Sequence, residues 1–536
     1  MGVDKVLIVG WDGATWDYID PLLARGELPN LAALLARGAR AVLRSTIPPF
    51  TNIAWPSLVT GLGPAKTGVF DGARARPGSY GAVPTNLTGY RGVPIWRWVN
   101  RYGLRAGVLN VPMTYPAAPL DGYLVTGFDS PRGGAEIAHP RDLLRRWADQ
   151  GHPYRVLAEE IALMDRQNPH QPRGDLEEFI ARWVALTQDQ GKLVAWLWRA
   201  WPVDLMFVVF SGTDSVNHRT RDAAQIAQVY RAADEALGRI LEAVDERTLV
   251  CLVSDHGSTP AHRYIALHRA LHDGGWLRFR PQVAARFWRR LPGALGRGLP
   301  RLWRRLPDRV RQALSWPLLR WEPRLAVAYD NVDWARTRVY ARSGMGPLYV
   351  NLQGRQPRGS VSPAAYDTLC DEVAQALLAL RDPEGRPLFG RVWRRDELYP
   401  GADPGDDPPD LVAEPARWSD HVITGYPTDP LVRPIPDEGE YGTHTPDGVL
   451  VLAGPGVRAG AELKTAQIVD VVPTLLALMD LPLPAEVDGQ VLRGALTEAP
   501  KVRRAEGEAP AASDAAGYTD QEAEDVMQRL RDLGYI

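Results

Sequence analysis

Four separated segments of this chain bring metal-binding side chains to the end or the start of an apolar run. They are VLIVGWDGAT with Asp12, VVFSGTDSVNH with Asp214 and His218, LVSDHGS with Asp255 and His256, and GTHTPDGVLVLAG with His444. Three Asp and three His are the donors that two divalent cation sites need. Thr51, in PPFTNIAWPSLVTG, adds a hydroxyl between the first and second segments. Divalent cations beside a hydroxyl nucleophile are the equipment for hydrolysing phosphate esters.

Each of these residues also has an ordinary alternative. Asp214 can stabilise a helix N-terminus, with His218 an unrelated surface residue. Asp12 and Asp255 precede glycines and suit turns. Thr51 can be a helix N-cap, and His444 a satisfied loop histidine. Their shared position favours the chemical reading. Asp12, Asp214, Asp255 and His256 all follow strand-like runs, and α/β sheets bind ligands beyond the carboxyl ends of their strands. Asp214 and His218, four apart, share one face of a helical turn. His444 precedes its run, so it is expected to reach in from a loop.

The elements that must position these residues are short Val/Ile/Leu-rich runs at 5–10, 105–111, 123–128, 205–210, 248–254 and 448–454. Most lack strict alternation, as strands buried on both faces do. Helical patterns alternate with them, at 28–38, closed by Gly38, and at 223–246, with apolar residues three and four apart. The expected fold class is therefore α/β, a mostly parallel central sheet between helical layers.

Composition narrows the function classes. Apolar residues make up 45% and charged residues 24% of 536, with a formal net charge of −2. No global basic excess points to nucleic acid, and no nucleic-acid partner is expected. Two cysteines, Cys251 and Cys370, provide neither a disulfide framework nor a thiolate metal site. Few residues precede the first apolar run, and no run approaches the ~20 apolar residues that span a bilayer. A soluble, cytoplasmic protein is expected.

The stretch 277–325 breaks the βα rhythm. Thirteen arginines there face only Asp308 and Glu322, with tryptophans and prolines interleaved. Short amphipathic helices broken at Pro292, Pro300, Pro307 and Pro317 are predicted. Such a segment suits peripheral contact with an anionic membrane; an ordinary helical cap with solvated arginines is the alternative. The predicted organisation is a first part of the catalytic core at 1–276, an inserted cap at 277–400, and the second part of the core at 401–496. A linker at 497–517 and a terminal helix at 518–536 follow, the helix capped by Thr519 with Glu522 completing a capping box.

The segments quoted above, together with PDLVAE and IVDVVPTLLALMDLPLPAEVDGQVL, resemble the alkaline phosphatase superfamily. Within it the chain is most similar to the type I phosphodiesterase/nucleotide pyrophosphatase branch, in its bacterial predicted phosphohydrolase/phosphomutase group. The resemblance covers most of 1–270 and 330–536. It implies an alkaline-phosphatase-like fold and two metal ions of zinc type, with manganese or iron as other occupants. It also implies a ligand set of Asp214, His218 and His444 for one ion. Asp12, Asp255, His256 and the Thr51 oxygen would hold the other. Thr51 stands where the family keeps its nucleophile, which implies a phosphothreonine intermediate, and the Asn52 amide could donate to a phosphoryl oxygen. Two positions depart from the pattern. Ala54 replaces an Asn of nucleotide pyrophosphatases, and Thr67 stands where the bacterial group often has His. Sulfatases of the same superfamily carry a C/S-x-P-x-R motif, which the Thr51 region lacks.

The function expected is a metal-dependent phosphoric ester hydrolase of phosphodiesterase/nucleotide pyrophosphatase type, with a phosphate-ester substrate. A phosphomonoesterase or phosphomutase would use the same phosphoenzyme. A degenerate membrane- or partner-binding protein on this fold is the alternative of another class.

Overall fold

The computed structural model describes residues 3–76, 78–85, 89–131, 136–152, 154–155, 176–280, 332–425, 429–435, 441–505, 518–519 and 521–526. The predicted Arg/Trp-rich helices from 281 onward, the linker beyond 505 and the terminal helix beyond 526 lie outside these residues, as does any membrane contact through them. Among the described residues no helix is long and apolar enough to cross a membrane.

A nine-stranded sheet organises the chain. Lys5–Trp11 lies at its heart, paired in parallel with Leu205–Phe210 on one side and Thr248–Val253 on the other. Ala106–Val111 and Gly122–Thr126 extend the parallel run past Leu205–Phe210. Asp447–Ala453 is antiparallel to both of its neighbours, Thr248–Val253 and Gly38–Arg44. The sheet is thus mostly parallel, and that one reversal matters for the site. An antiparallel strand begins at the edge where parallel strands end, so the segment leading into Asp447 arrives beside Asp12, Asp214 and Asp255.

Both faces of the sheet are covered, which is why its strands read as continuous apolar runs. Along Lys5–Trp11, Leu7, Val9 and Trp11 enter one core while Val6 and Ile8 enter the other. The first core is roofed by helices Trp16–Ala24, Pro29–Ala36, Leu176–Ala200 and Ala223–Leu241. Ala223–Leu241 starts where the Asp222 side chain accepts from the Ala224 amide, and it buries Ile226, Val229, Tyr230, Ala233, Leu237 and Ile240. From this helix Asp234 accepts the amides of Asn30 and Leu31, capping Pro29–Ala36 from outside that helix. The opposite layer contains Thr51–Thr60, Ile95–Arg101 and Val471–Leu478.

A smaller antiparallel sheet forms a separate layer from Val339–Tyr340, Pro347–Val350, Leu411–Pro415 and Phe389–Arg394, with helix Tyr366–Ala379 packed on it. It runs past residue 400, because Leu411–Pro415 pairs with both Pro347–Val350 and Phe389–Arg394. Asp410 anchors this layer. Its buried carboxylate accepts from Val350 N, Tyr366 Oη and Arg355 Nη1, and it also pairs with Arg395. At the chain's end Thr519 Oγ1 accepts from Glu522 N while Glu522 accepts from Thr519 N, the reciprocal bonds of a capping box.

Candidate active site

Each candidate residue comes from an element that ends at one edge of the large sheet. Asp12 follows Lys5–Trp11, and Gly13 after it has φ +63°. A side chain at Gly13 would collide with Asp214, so the glycine allows the two carboxylates to approach. Asp214 lies in the short helix Gly212–Asn217 and His218 closes that helix, one turn on. Asp255 and His256 occupy the turn between Thr248–Val253 and Gly257–Pro260. Thr51 is the first residue of helix Thr51–Thr60, with Phe50 in the N-cap position. The hydroxyl is therefore not engaged as a cap. His444 differs from its expected loop setting: it lies in Gly442–Thr445, paired antiparallel with Gly257–Pro260. That pairing lays the His444 ring on the His256 ring, with centroids 3.8 Å apart.

All these residues are buried or nearly so. His218 Nε2 lies 3.1 Å from His444 Nε2 and 3.3 Å from Asp214 Oδ1, and His444 Nε2 lies 3.5 Å from Asp214 Oδ1. His256 Nε2 is 3.0 Å from Thr51 Oγ1, 3.4 Å from Asp255 Oδ2 and 3.7 Å from Asp12 Oδ1. Two groups of donors result, Asp214–His256–His444 and Asp12–Asp255–His256, with ligand atoms within 4.8 Å of one another in each. His256 joins the two, and His218 reaches the first through Asp214 and His444.

The donors fit cations in spacing, tautomer and charge. Four ligands at ~2.0–2.1 Å around a tetrahedral ion stand roughly 3.3 Å apart, close to the separations above. Nδ1 of His256 faces the Gly257 carbonyl at 3.0 Å, and Nδ1 of His444 faces the Pro49 carbonyl at 3.0 Å. Donation to those carbonyls places the proton on Nδ1 and turns each Nε2 lone pair into the cluster. Both Asp12 oxygens and Asp255 Oδ2 are buried without a hydrogen bond of normal geometry among the described residues. Burial and the neighbouring Asp255 and Asp214 charges raise the Asp12 carboxyl well above the usual range. Burial raises Asp255 as well, against the opposing influence of His256. At Asp214 burial also acts upward, but His218, His444 and His256 outweigh it and hold the carboxyl far below the usual range. Burial and His256 push the His444 imidazole well below its usual value. Three carboxylates gathered out of water are a cation's natural partners.

Sequence reasoning did not single out the supporting groups. Thr213 Oγ1 donates to Asp12 O at 2.6 Å, Ser258 Oγ donates to Gly13 O at 2.7 Å, and Gly13 N donates to Asp255 Oδ1 at 3.2 Å. The one legible signal was the Asp-Gly pair at 12–13. Asn52, next to Thr51, directs Nδ2 to the Gly72 carbonyl over a long 3.4 Å contact. Two arginines of the small-sheet layer are taken up by acids: Arg342 pairs with Asp407 at 2.7 Å and Arg355 pairs with Asp410.

The fold is that of alkaline-phosphatase-like enzymes. The family model for type I phosphodiesterase/nucleotide pyrophosphatase matches residues 6–447, and the chain belongs to that family. Two solved structures resemble it in fold at 14% identity. One is an inactive variant of murine ectonucleotide pyrophosphatase/phosphodiesterase 5 in complex with AMP, with a TM-score of 0.50 over 90% of this chain and 96% of that one. The other is phosphonoacetate hydrolase from Sinorhizobium meliloti in complex with phosphonoacetate, with a TM-score of 0.53 over 89% of this chain and 95% of that one. No curated protein matches the sequence significantly. The protein is a phosphoric ester hydrolase of a metal-dependent family, and its buried Asp and His groups can hold metal.

Proposed function

We propose that the protein hydrolyses phosphodiesters through a phosphothreonine formed on Thr51. The observation that carries this reading is the contact of Thr51 Oγ1 with His256 Nε2, 3.0 Å apart inside the buried carboxylate–imidazole cluster. Asp214, His218 and His444 would hold one divalent ion, and Asp12, Asp255, His256 and Thr51 the other. When bound, such ions supply charge that lowers a hydroxyl pKa and stabilises a departing oxygen.

The chain's own part begins at the helix N-terminus, where the positive end of the dipole favours a phosphoryl group beside Thr51. Thr51 Oγ attacks phosphorus as one ester oxygen leaves on the opposite side. The second Asn52 N–H, not used by Gly72, is available to a phosphoryl oxygen. Water then attacks the phosphothreonine, releasing phosphate monoester and restoring the hydroxyl. Two in-line displacements give net retention at phosphorus. Zinc as resident ion and a cytoplasmic location belong to the same proposal. The all-oxygen-and-nitrogen donor set and two free, buried cysteines support them. The division into a core at 1–276 and 401–496 and a cap at 277–400 is also part of it, with the cap lengthened to take Leu411–Pro415.

Turnover of bis-p-nitrophenyl phosphate by metal-replete wild type and Thr51→Ala tests the assignment. A loss of at least about a thousandfold is expected, and equal activity removes Thr51 as nucleophile. Faster turnover of p-nitrophenyl phosphate than of the diester would favour a monoesterase or phosphomutase.

A further inference from the structure

A hairpin follows Gly72, whose carbonyl accepts from Asn52, the residue after Thr51. Its strands, Ala73–Ala75 and Ala82–Pro84, pair antiparallel. Its base is fastened where the Asp71 carboxylate accepts from Ser343 Oγ at 2.8 Å and Tyr349 Oη at 3.4 Å. Its tip is fastened by Tyr80, whose ring stacks on Trp334 at an interplanar angle of 3° and whose Oη donates to Asn351 at 2.7 Å. Between these attachments the hairpin spans a cavity of about 450 Å³ shared with the small-sheet layer. The Asn52–Gly72 contact ties the wall of that cavity to the residue after Thr51.

Three acids and three arginines line the cavity. Asp407 is matched by Arg342, and Asp406 by Arg91 at 2.5 Å. Asp71 takes its hydrogen bonds from Ser343, Tyr349 and Gly72 N. Arg74 and Arg76 remain, both exposed and with no side-chain hydrogen bond or ion pair among the described residues. Two residues apart on extended chain, they share one side of the hairpin at a spacing of roughly 7 Å. Asp406 and Asp407 each face an arginine and Asp71 is held by neutral donors, so Arg74 and Arg76 are the guanidinium groups of the lining left without a partner among the described residues.

We propose that this cavity receives an ester arm of the substrate and that Arg74 and Arg76 bind a second anionic group on that arm, a phosphate or a carboxylate. The preferred substrate is then a phosphoric ester carrying a further negative charge at the far end of the arm. The inference rests on the Thr51-centred hydrolase reading and names the substrate class for that site. Planar guanidinium forks suit either anion, and charge-assisted hydrogen bonds are the stronger kind.

Three p-nitrophenyl phosphodiesters test it, with the second arm a three-carbon chain ending in hydroxyl, carboxylate or phosphate. At least one anionic arm should raise kcat/KM over the hydroxyl arm by about tenfold or more, and the better of the two identifies the anion. That ratio should collapse in Arg74→Gln/Arg76→Gln and partly return in Arg74→Lys/Arg76→Lys. Calorimetric binding of 1,3-propanediol bisphosphate against the monophosphate gives a readout independent of turnover, with the same dependence on the two arginines. Equal kcat/KM for all three arms, or a preference that survives the double substitution in both measurements, overturns the inference while leaving the hydrolase intact. Failure of the hydrolase reading has a different signature: no release from any diester, or wild-type activity in Thr51→Ala.

Discussion

Replacing Gly13 by Ala tests how closely the two halves of the site are pressed together. At φ +63° an alanine is strained by about 1 kcal/mol. Its Cβ would lie 2.7 Å from Asp214 Oδ1, 2.9 Å from Asp214 Cβ and 3.0 Å from Ser258 Oγ. Ordinary contact is ~3.5 Å, so three atoms must give way together. Asp214 has little freedom to retreat, because its neighbour Thr213 is bonded to the Asp12 carbonyl at 2.6 Å. Overpacking of this kind adds about 1–3 kcal/mol, for a total of about 2–4 kcal/mol. Gly26 is the control: it has φ +72° and nothing within 4 Å of where an alanine Cβ would sit, so Gly26→Ala should lose only about 1 kcal/mol. Urea denaturation of the metal-free proteins gives the two losses. Competition with a chromogenic chelator gives metal affinity, which should fall about 10–100-fold in Gly13→Ala alone. Equal destabilisation in both variants, with wild-type metal affinity in Gly13→Ala, would show that Asp214 is not held against this turn.

Further outcomes follow from the same geometry. Removing divalent ions with a chelator should lower Tm, and returning zinc at a hundred times its Kd should restore about 2.7 kcal/mol per site; a Tm indifferent to metal counts against the cluster as a cation site. Asp410→Asn should destabilise the protein by about 3 kcal/mol, since it leaves the Arg355 and Arg395 charges without their shared partner; an unchanged urea midpoint would refute a structural role for Asp410. His268 is buried between the Gly425 and Ala341 carbonyls, and burial lowers its pKa below the usual 6.5. A lowered folded-state pKa contributes stability that is present above about pH 6.5 and lost as pH falls through the folded value. The stability difference between wild type and His268→Gln should therefore shrink from about pH 7.5 to about pH 5, and a constant difference in urea melts contradicts the assignment.

Much of the scaffold was legible because strands covered on both faces leave continuous apolar runs. The run at 205–210 matches its strand residue for residue, and those at 5–10 and 248–254 agree within one residue. The helix expected over 223–246 ends at Leu241. Gly442–Thr445 was not legible as a strand. GTHT has no apolar period, and only the backbone groups of Gly257–Pro260 make it extended. Thr51 could be read as a cap from its type alone, whereas the backbone gives that position to Phe50. Asp410, in the segment PDLVAE, has its role set by Arg355, Arg395 and Tyr366, which come from other parts of the chain.

The order of residues by itself determined the donor types, their placement at strand ends, and the layered α/β scaffold. These depend on local hydrophobic pattern and on which atoms each side chain carries. Tertiary structure alone decided that His256 stands between two clusters, that both imidazoles turn Nε2 inward, and that His218 and His444 both come within 3.5 Å of the Asp214 carboxylate. It also decided which arginines are spent on internal acids and which two stay free beside the cavity. Such properties arise from distances of a few ångströms between residues that lie far apart in the chain, and only packing sets those distances.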